Sequence, residues 1–173
     1  MIDDELNHDT PRTAEEIAQR ALILHCVIAA GHDVEKIELV EWLESENLWP
    51  FVSPRERRFL MGENITQGQI NYFIWRIEAQ VALLWAISKT DSLGTLVEPC
   101  KSASLVAPIP PILTSTAEFI STARLRTPEE IEEAYEYVYD AHCRMQDPGS
   151  GKPVHPAVIL QRHYAFNWII GDC

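Results

Sequence analysis

Glu78 is the residue whose position most clearly suggests chemistry. On a helix, at about 100° per residue, it shares a face with Trp75, Val81 and Trp85. A carboxylate on such an aromatic face must be paired, protonated or open to a cleft. If it is open to a cleft, it is a candidate general acid or base with a raised pKa. If it is paired, it is half of a buried ion pair that fixes the register of two helices, and we favour this second interpretation.

Two arginines are candidate partners for this carboxylate. Arg20 shares a helix face with Ile17 and Leu24, and Arg162 shares a stripe with Val158. Both guanidinium groups are therefore expected to point partly inward. The sequence leaves open which of the two meets Glu78.

The tryptophans are the second notable group. There are five: Trp42, Trp49, Trp75, Trp85 and Trp168. A buried indole N–H needs an acceptor, so each ring imposes a constraint on its surroundings. At helical spacing from apolar neighbours they are more typical of a core than of a pocket. The alternative makes Trp75, Trp85 and Trp168 the aromatic wall of a ligand pocket.

Signatures of metal binding and of nucleophilic catalysis are weak. The six histidines include no i, i+4 pair and no H-E-x-x-H motif, so we predict neither a metal nor a cofactor. No G-x-S-x-G motif is present. Cys100 lies beside Lys101, whose charge is expected to depress the thiol pKa. The segment 149–152, Gly-Ser-Gly-Lys, lacks the register of a phosphate-binding loop and is interpreted as a turn.

Charge narrows the range of partners. The chain has 26 Asp and Glu against 14 Lys and Arg, a net charge of -12. Such a field repels nucleic-acid phosphates and anionic membranes, and it is compatible with a basic protein partner. The alternative is that the charge serves only solubility. The acidic start shows no signal peptide, no stretch is apolar enough to span a membrane, and the four cysteines are widely spaced. We therefore expect a cytoplasmic protein with reduced thiols.

Helix starts are marked by capping boxes, in which a Ser or Thr and a Glu or Gln three residues later bond each other's backbone amides. Five such patterns precede apolar-periodic segments: Thr13–Glu16, Ser53–Glu56, Thr66–Gln69, Ser115–Glu118 and Thr127–Glu130. Arg126 stands just before the last box, where Glu129 and Glu130 can balance its charge. Asp33 and His155 mark two further starts.

These signals predict an all-α protein, a compact bundle of about six or seven helices around a buried central helix. The predicted helices cover residues 14–30, 34–46, 54–61, 67–89, 116–123, 128–146 and 156–170. Helix 67–89 is the longest and is apolar nearly all round, so it is expected to be central. Gly31 is expected to end the first helix as a left-handed residue. In the second helix Ile37, Val40 and Leu43 are expected to face inward.

The remaining segments complete the organisation of the chain. Residues 90–114 contain four prolines, which exclude a regular helix and predict a long crossover loop. Residues 1–12 are expected to be a flexible N-terminal arm, and residues 13–173 a single domain.

The order and spacing of several landmarks resemble a known bacterial family. They are T-A-x-E-I-A-x-R at 13–20, W-L at 42–43, S-P-x-E at 53–56, F-L at 59–60, W-R-x-E-A at 75–79, L-L-W-A-I at 83–87, P-C at 99–100, L-R-x-x-x-E-I at 125–131 and R-x-x-A-x-N-W at 162–168. The chain is similar, over nearly all its length after residue 12, to domain of unknown function 4272. Its members usually continue into a short acidic tail, so the resemblance implies a missing C-terminal extension.

The resemblance implies no activity, substrate or cofactor. It does imply that one polar set belongs together: Arg20, Glu78, Arg126, Arg162 and Asn167. It does not distinguish a catalytic set from a structural one.

Two functions follow as hypotheses. The favoured one is a non-catalytic interaction module, either a homodimer or an acidic partner of a basic protein such as an immunity-type inhibitor. It depends on the net charge and on the glutamate-rich face of the second helix. The alternative is a small-molecule-binding domain or enzyme with a pocket around Glu78, Trp75, Trp85 and Arg162, covered by the proline-rich loop. An enzyme is the less favoured of the two.

Overall fold

The computed structural model describes residues 10–102, 105, 107–147, 149 and 153–172. Within these residues the regular structure is helical, and no strand is present. The α-helices are α1 (Ala14–Gly31), α2 (Lys36–Ser45), α3 (Pro54–Leu60), α4 (Gln67–Trp75), α5 (Ile77–Ala86), α6 (Ala117–Ser121), α7 (Pro128–Met145) and α8 (Pro156–Ile170). A 3-10 turn, Trp49–Phe51, precedes α3. The all-α prediction is confirmed.

Four of the five predicted capping boxes form, at the starts of α1, α3, α4 and α7. In α1 the Thr13 hydroxyl accepts from the Glu16 amide at 3.2 Å, and the Glu16 carboxylate accepts from the Thr13 amide at 2.7 Å. These contacts satisfy backbone donors that a helix end leaves without partners. Local sequence therefore determines where these helices begin.

The fifth box, Ser115–Glu118, was a wrong prediction. The N-cap of α6 is Thr116, and its side chain makes no capping bond. Instead its amide and hydroxyl both donate to the Glu46 carboxylate, at 2.8 and 2.7 Å. The Glu46 carboxylate, at the end of α2, thus takes the place of a capping partner within α6. A local sequence pattern could not predict this contact, because it joins residues 70 positions apart.

The predicted central helix 67–89 is in fact two helices that meet at Arg76. The amide of Arg76 donates to the Phe73 carbonyl at 3.2 Å, three residues back, which is a tightened 3-10 step. The helices that run longest are α1 and α7, of 18 residues each. The prediction of a buried central helix holds for α5, which packs against α1 and α8 and is buried from Glu78 to Leu84.

Two further predictions were wrong, for Ile37 and Gly31. Ile37 is 67% exposed, whereas Leu43 is buried as predicted and Val40 is half-buried. Leu39 and Trp42 are the other buried residues of α2. Gly31 is the last residue of α1, and the left-handed residue is Asp33, at φ 63°. Gly31 matters for packing, because a Cβ there would lie 2.9 Å from Ile74 Cγ1 in α4.

Residues 10–12 pack against the C-terminal part of α8 and the residue after it. Of the predicted arm, residues 1–9 lie outside the described residues, but Arg12 is docked. Its amide donates to the Ile169 carbonyl at 2.8 Å, and its guanidinium lies 5.1 Å from the Trp168 ring centroid. Gly171 ends α8 with φ 82°, and the Thr10 backbone passes so close that a Cβ at 171 would meet it at 2.6 Å. The start of α1 is thereby tied to the end of α8.

Candidate functional site

Glu78 and Arg162 form a buried ion pair between α5 and α8. Their side chains are 0% and 1% exposed. Arg162 donates from Nη2 and Nε to Glu78 Oε2, at 2.9 and 3.2 Å. The other carboxylate oxygen, Oε1, accepts from the Cys100 amide at 2.6 Å. Both carboxylate oxygens are thus engaged, as buried polar atoms require.

The same arginine also holds the proline-rich segment. Its Nη1 donates to the carbonyls of Leu93 and Thr95, both at 2.9 Å. Together with the bond to Cys100, these contacts anchor residues 93–100 onto α5 and α8. Arg162 is therefore the partner of Glu78, and the pair joins two helices to a loop.

Arg20, the other candidate partner, lies elsewhere. It forms an ion pair with Glu56 at the start of α3. The second oxygen of Glu56, Oε2, accepts from the Ser53 amide at 3.0 Å in the α3 capping box. One carboxylate thus serves both a helix cap and an ion pair.

Arg126 has a third, separate environment. Its Nε and Nη2 donate to the carbonyls of Trp85 and Thr90, at 2.8 and 3.0 Å, and Nη1 donates to Glu130 at 3.2 Å. The guanidinium lies 4.6 Å from the Trp85 ring centroid. The predicted balance of its charge by Glu130 is confirmed, and the arginine closes the loop that follows α5.

The residues named from the sequence do not converge on one pocket. Asn167 has a buried Oδ1 with no hydrogen-bond partner among the described residues, and it belongs to none of the three ion pairs. Trp75 packs on His155 with centroids 5.4 Å apart, whereas Trp168 packs on Arg12. None of the cavities described in residues 10–102, 105, 107–147, 149 and 153–172 is lined jointly by Glu78, Trp75, Trp85 and Arg162. A cavity of about 500 Å³ under the loop is lined by Arg162 and Cys100 but by none of the other three.

The pKa of the Cys100 thiol is raised, not lowered as predicted. Burial first, and then the neighbouring Glu78 carboxylate, raise the pKa of its thiol to about 12. The expectation that Lys101 depresses this pKa was wrong, because burial and an adjacent negative charge both disfavour the thiolate.

We expect Cys100 to be alkylated by iodoacetamide much more slowly than the exposed Cys143. The raised pKa leaves on the order of a hundredfold to a thousandfold less thiolate at about pH 8. Peptide mapping by mass spectrometry measures both rates in one sample. In guanidinium chloride the two rates should converge, and equal rates in the folded protein would contradict the burial of this thiol.

Sequence reasoning missed a second cavity, of about 400 Å³, between α1, α3, α4, α5 and α8. Its polar lining includes Arg20, Arg55, Glu56 and Arg76. Arg76 is only 7% exposed, and no Asp or Glu in the described ranges forms an ion pair with it. Its Nη1 donates to Gln161 Oε1 at 3.1 Å. An arginine amid the apolar run of 73–87 was the available signal.

Among the residues that the structure describes, no group of three or more His, Cys, Asp or Glu side chains is placed to hold a metal ion. No helix in the described part of the chain is long and apolar enough to cross a bilayer.

Comparison with known proteins gives one finding. The model of a family described as "Domain of unknown function (DUF4272)" matches residues 1–173, the whole chain. No curated protein and no solved structure matches significantly.

Proposed function

The chain belongs to the DUF4272 family, whose description assigns no activity, and we propose that it is a non-catalytic module that binds a basic protein through α2. The observation that carries the proposal is an exposed apolar groove bordered by glutamates. The geometry does not favour the alternative of an enzyme centred on Glu78, since both oxygens of that carboxylate are engaged in a closed ion pair.

The groove lies between α2 and the end of α3 and has a volume of about 330 Å³. Ile37 and Met61 project from it with 67% and 59% of their surfaces exposed, and Val40 and Leu60 form its apolar lining. Two large apolar side chains exposed side by side typify a contact surface more than scattered single residues do. Apolar anchors at the centre of an interface supply most of its affinity.

Glutamates lie along the α2 side of this groove, where Glu41 lines it together with Lys36. Four of them recur at every third position of the α2 segment and are all exposed: Glu35, Glu38, Glu41 and Glu44. At helical spacing Glu41 and Glu44 lie one and two turns beyond Ile37, on the same face. An apolar centre with glutamates along one side is complementary to a partner that presents an apolar side chain next to lysines or arginines.

The same charge pattern argues against the other partners. A second copy of the chain would bring two glutamate rows together across a two-fold interface, where like charges repel. The net charge of -12 likewise opposes binding to nucleic acid. A basic protein is the partner that the surface fits.

The proposal is tested with three baits in a pull-down from a lysate of the source organism, at low and moderate salt. They are the parent, the α2 variant Glu41→Lys/Glu44→Lys, and a control variant, Glu132→Lys/Glu136→Lys. All four glutamates are exposed, and both variants change the net charge equally. We expect the parent and the control to capture the same basic protein, with cross-links to α2, and the α2 variant to lose it. Moderate salt should weaken capture by screening.

Two results would count against this surface. One is capture of a partner by the α2 variant as efficiently as by the parent. The other is capture that depends on the α7 glutamates instead. A parent bait that recovers no protein at low salt would reject the basic-partner proposal itself.

A further inference from the structure

We infer that the cavity lined by Arg20, Arg55 and Arg76 is a binding site for a phosphate monoester carried on a ring or other apolar body. This inference is independent of the α2 surface, which lies outside the cavity lining. It depends on the charge, the burial and the aromatic walls of the cavity.

The first observation is the charge balance. Three guanidinium groups line the cavity, against the single carboxylate of Glu56. That carboxylate is already engaged, since Oε1 pairs with Arg20 and Oε2 caps α3. A cavity with surplus positive charge is unexpected in a chain of net charge -12. Electrostatically, such a concavity concentrates small anions from solution.

The second observation is the burial of Arg76. Burial lowers the pKa of its guanidinium, and the positive charge of Arg20 adds to that effect. Tyr72, Tyr164 and the Glu56 carboxylate oppose it. The group nevertheless stays charged at neutral pH, because a guanidinium is not deprotonated in proteins. A buried charge without a counter-charge in direct contact is costly to the fold. An anion bound in the cavity would supply that counter-charge.

The third observation is the set of aromatic walls. The Arg55 guanidinium lies 3.8 Å from the Tyr72 ring centroid, and that of Arg76 lies 4.6 Å from the Tyr164 centroid. Trp168 also lines the cavity. Stacking on rings holds the planar guanidinium groups in fixed orientations. The same walls offer apolar surface for the body of a ligand.

Charge and size together select the ligand class. A phosphate monoester carries about -1.5 to -2 charges at neutral pH, close to the surplus of the cavity. Its oxygens accept in the bidentate geometry that guanidinium groups provide. A volume of about 400 Å³ lies within the range of small-molecule sites. A ligand with a single carboxylate carries one negative charge and would leave part of the positive charge of the cavity unbalanced.

The test is isothermal titration calorimetry of the full chain with phenyl phosphate. Two control ligands are titrated in parallel: phenol, which lacks the phosphate, and inorganic phosphate, which lacks the ring. Arg55→Gln is the variant, because Arg55 is exposed at the rim of the cavity and its loss should not prevent folding. Arg58→Gln is the matched control: Arg58 lies in the same helix, is also exposed, and does not line the cavity.

We expect the parent to bind phenyl phosphate, inorganic phosphate to bind more weakly, and phenol not to bind. Arg55→Gln should weaken binding by about tenfold or more, as expected for loss of a charged hydrogen-bonding partner. Arg58→Gln should bind as the parent does. Absence of binding by the parent at millimolar phenyl phosphate would overturn the inference, as would equal binding of phenol or equal losses in the two variants.

Discussion

Replacing Arg162 with methionine is expected to lower the free energy of unfolding by about 3–5 kcal/mol. The substitution leaves the Glu78 carboxylate buried with Cys100 as its remaining hydrogen-bond donor, and a buried charge without a counter-charge is costly. It also removes the donors to the Leu93 and Thr95 carbonyls. For a chain of this length the loss corresponds to a decrease of about 6–20 °C in the melting temperature. Calorimetry or circular dichroism measures it directly.

Two further variants show that the effect comes from the unpaired charge. Adding Glu78→Leu to Arg162→Met removes both charges and should recover most of the stability, since a buried pair replaced by apolar residues is often neutral. Glu130→Gln disrupts the exposed pair with Arg126 and keeps a side chain that can cap α7, so its effect should be much smaller.

Hydrogen exchange adds local evidence. In Arg162→Met the Cys100 amide and its neighbours in residues 93–100 should lose protection before α1 does, because the loop has lost its anchor. If Arg162→Met melts like the parent, the Glu78–Arg162 ion pair does not stabilise the fold as expected.

The same substitution at Arg76 is expected to have the opposite sign. Arg76→Met removes a buried guanidinium that has no carboxylate partner among the described residues and keeps the unbranched aliphatic stem. We expect the free energy of unfolding to rise by about 1–2 kcal/mol, since the desolvation penalty of an unpaired ion disappears. The lost bond to Gln161 offsets part of this gain. At the same time the variant should no longer bind phenyl phosphate.

Higher stability together with loss of binding is expected of a binding site whose buried charge destabilises the free protein and is neutralised by the ligand. Phenyl phosphate should raise the melting temperature of the parent and leave that of Arg76→Met unchanged, because only a ligand that binds the native state stabilises it. A lower melting temperature for Arg76→Met without ligand would instead make Arg76 a structural residue, held by the rings of Tyr72 and Tyr164.

Sequence by itself determined the local features of this protein. The starts of α1, α3, α4 and α7 were predictable because a capping box involves residues only three apart. The extent of α8, residues 156–170, followed from a proline at its first position and a glycine after its last. The burial of α5 followed from an apolar run that leaves no polar face.

Tertiary structure alone decided the contacts between distant residues. Glu78 and Arg162 are 84 positions apart, and helical periodicity gives the direction of each side chain but not which element lies opposite. For that reason the sequence could not choose between Arg20 and Arg162. It also could not show that Thr116 would bond Glu46, that Ile37 would stay exposed, or that the chain would tighten at Arg76.

The arginine-lined cavity illustrates the same division. The sequence shows each arginine, but only the packing brings three of them to one cavity with a single carboxylate, Glu56, which Arg20 and the α3 cap already engage. Whether a buried charge has a partner depends on every element packed around it. Helix positions were thus encoded locally in this chain, whereas the pairing of its charges, and with it the candidate site, was set by how the helices pack.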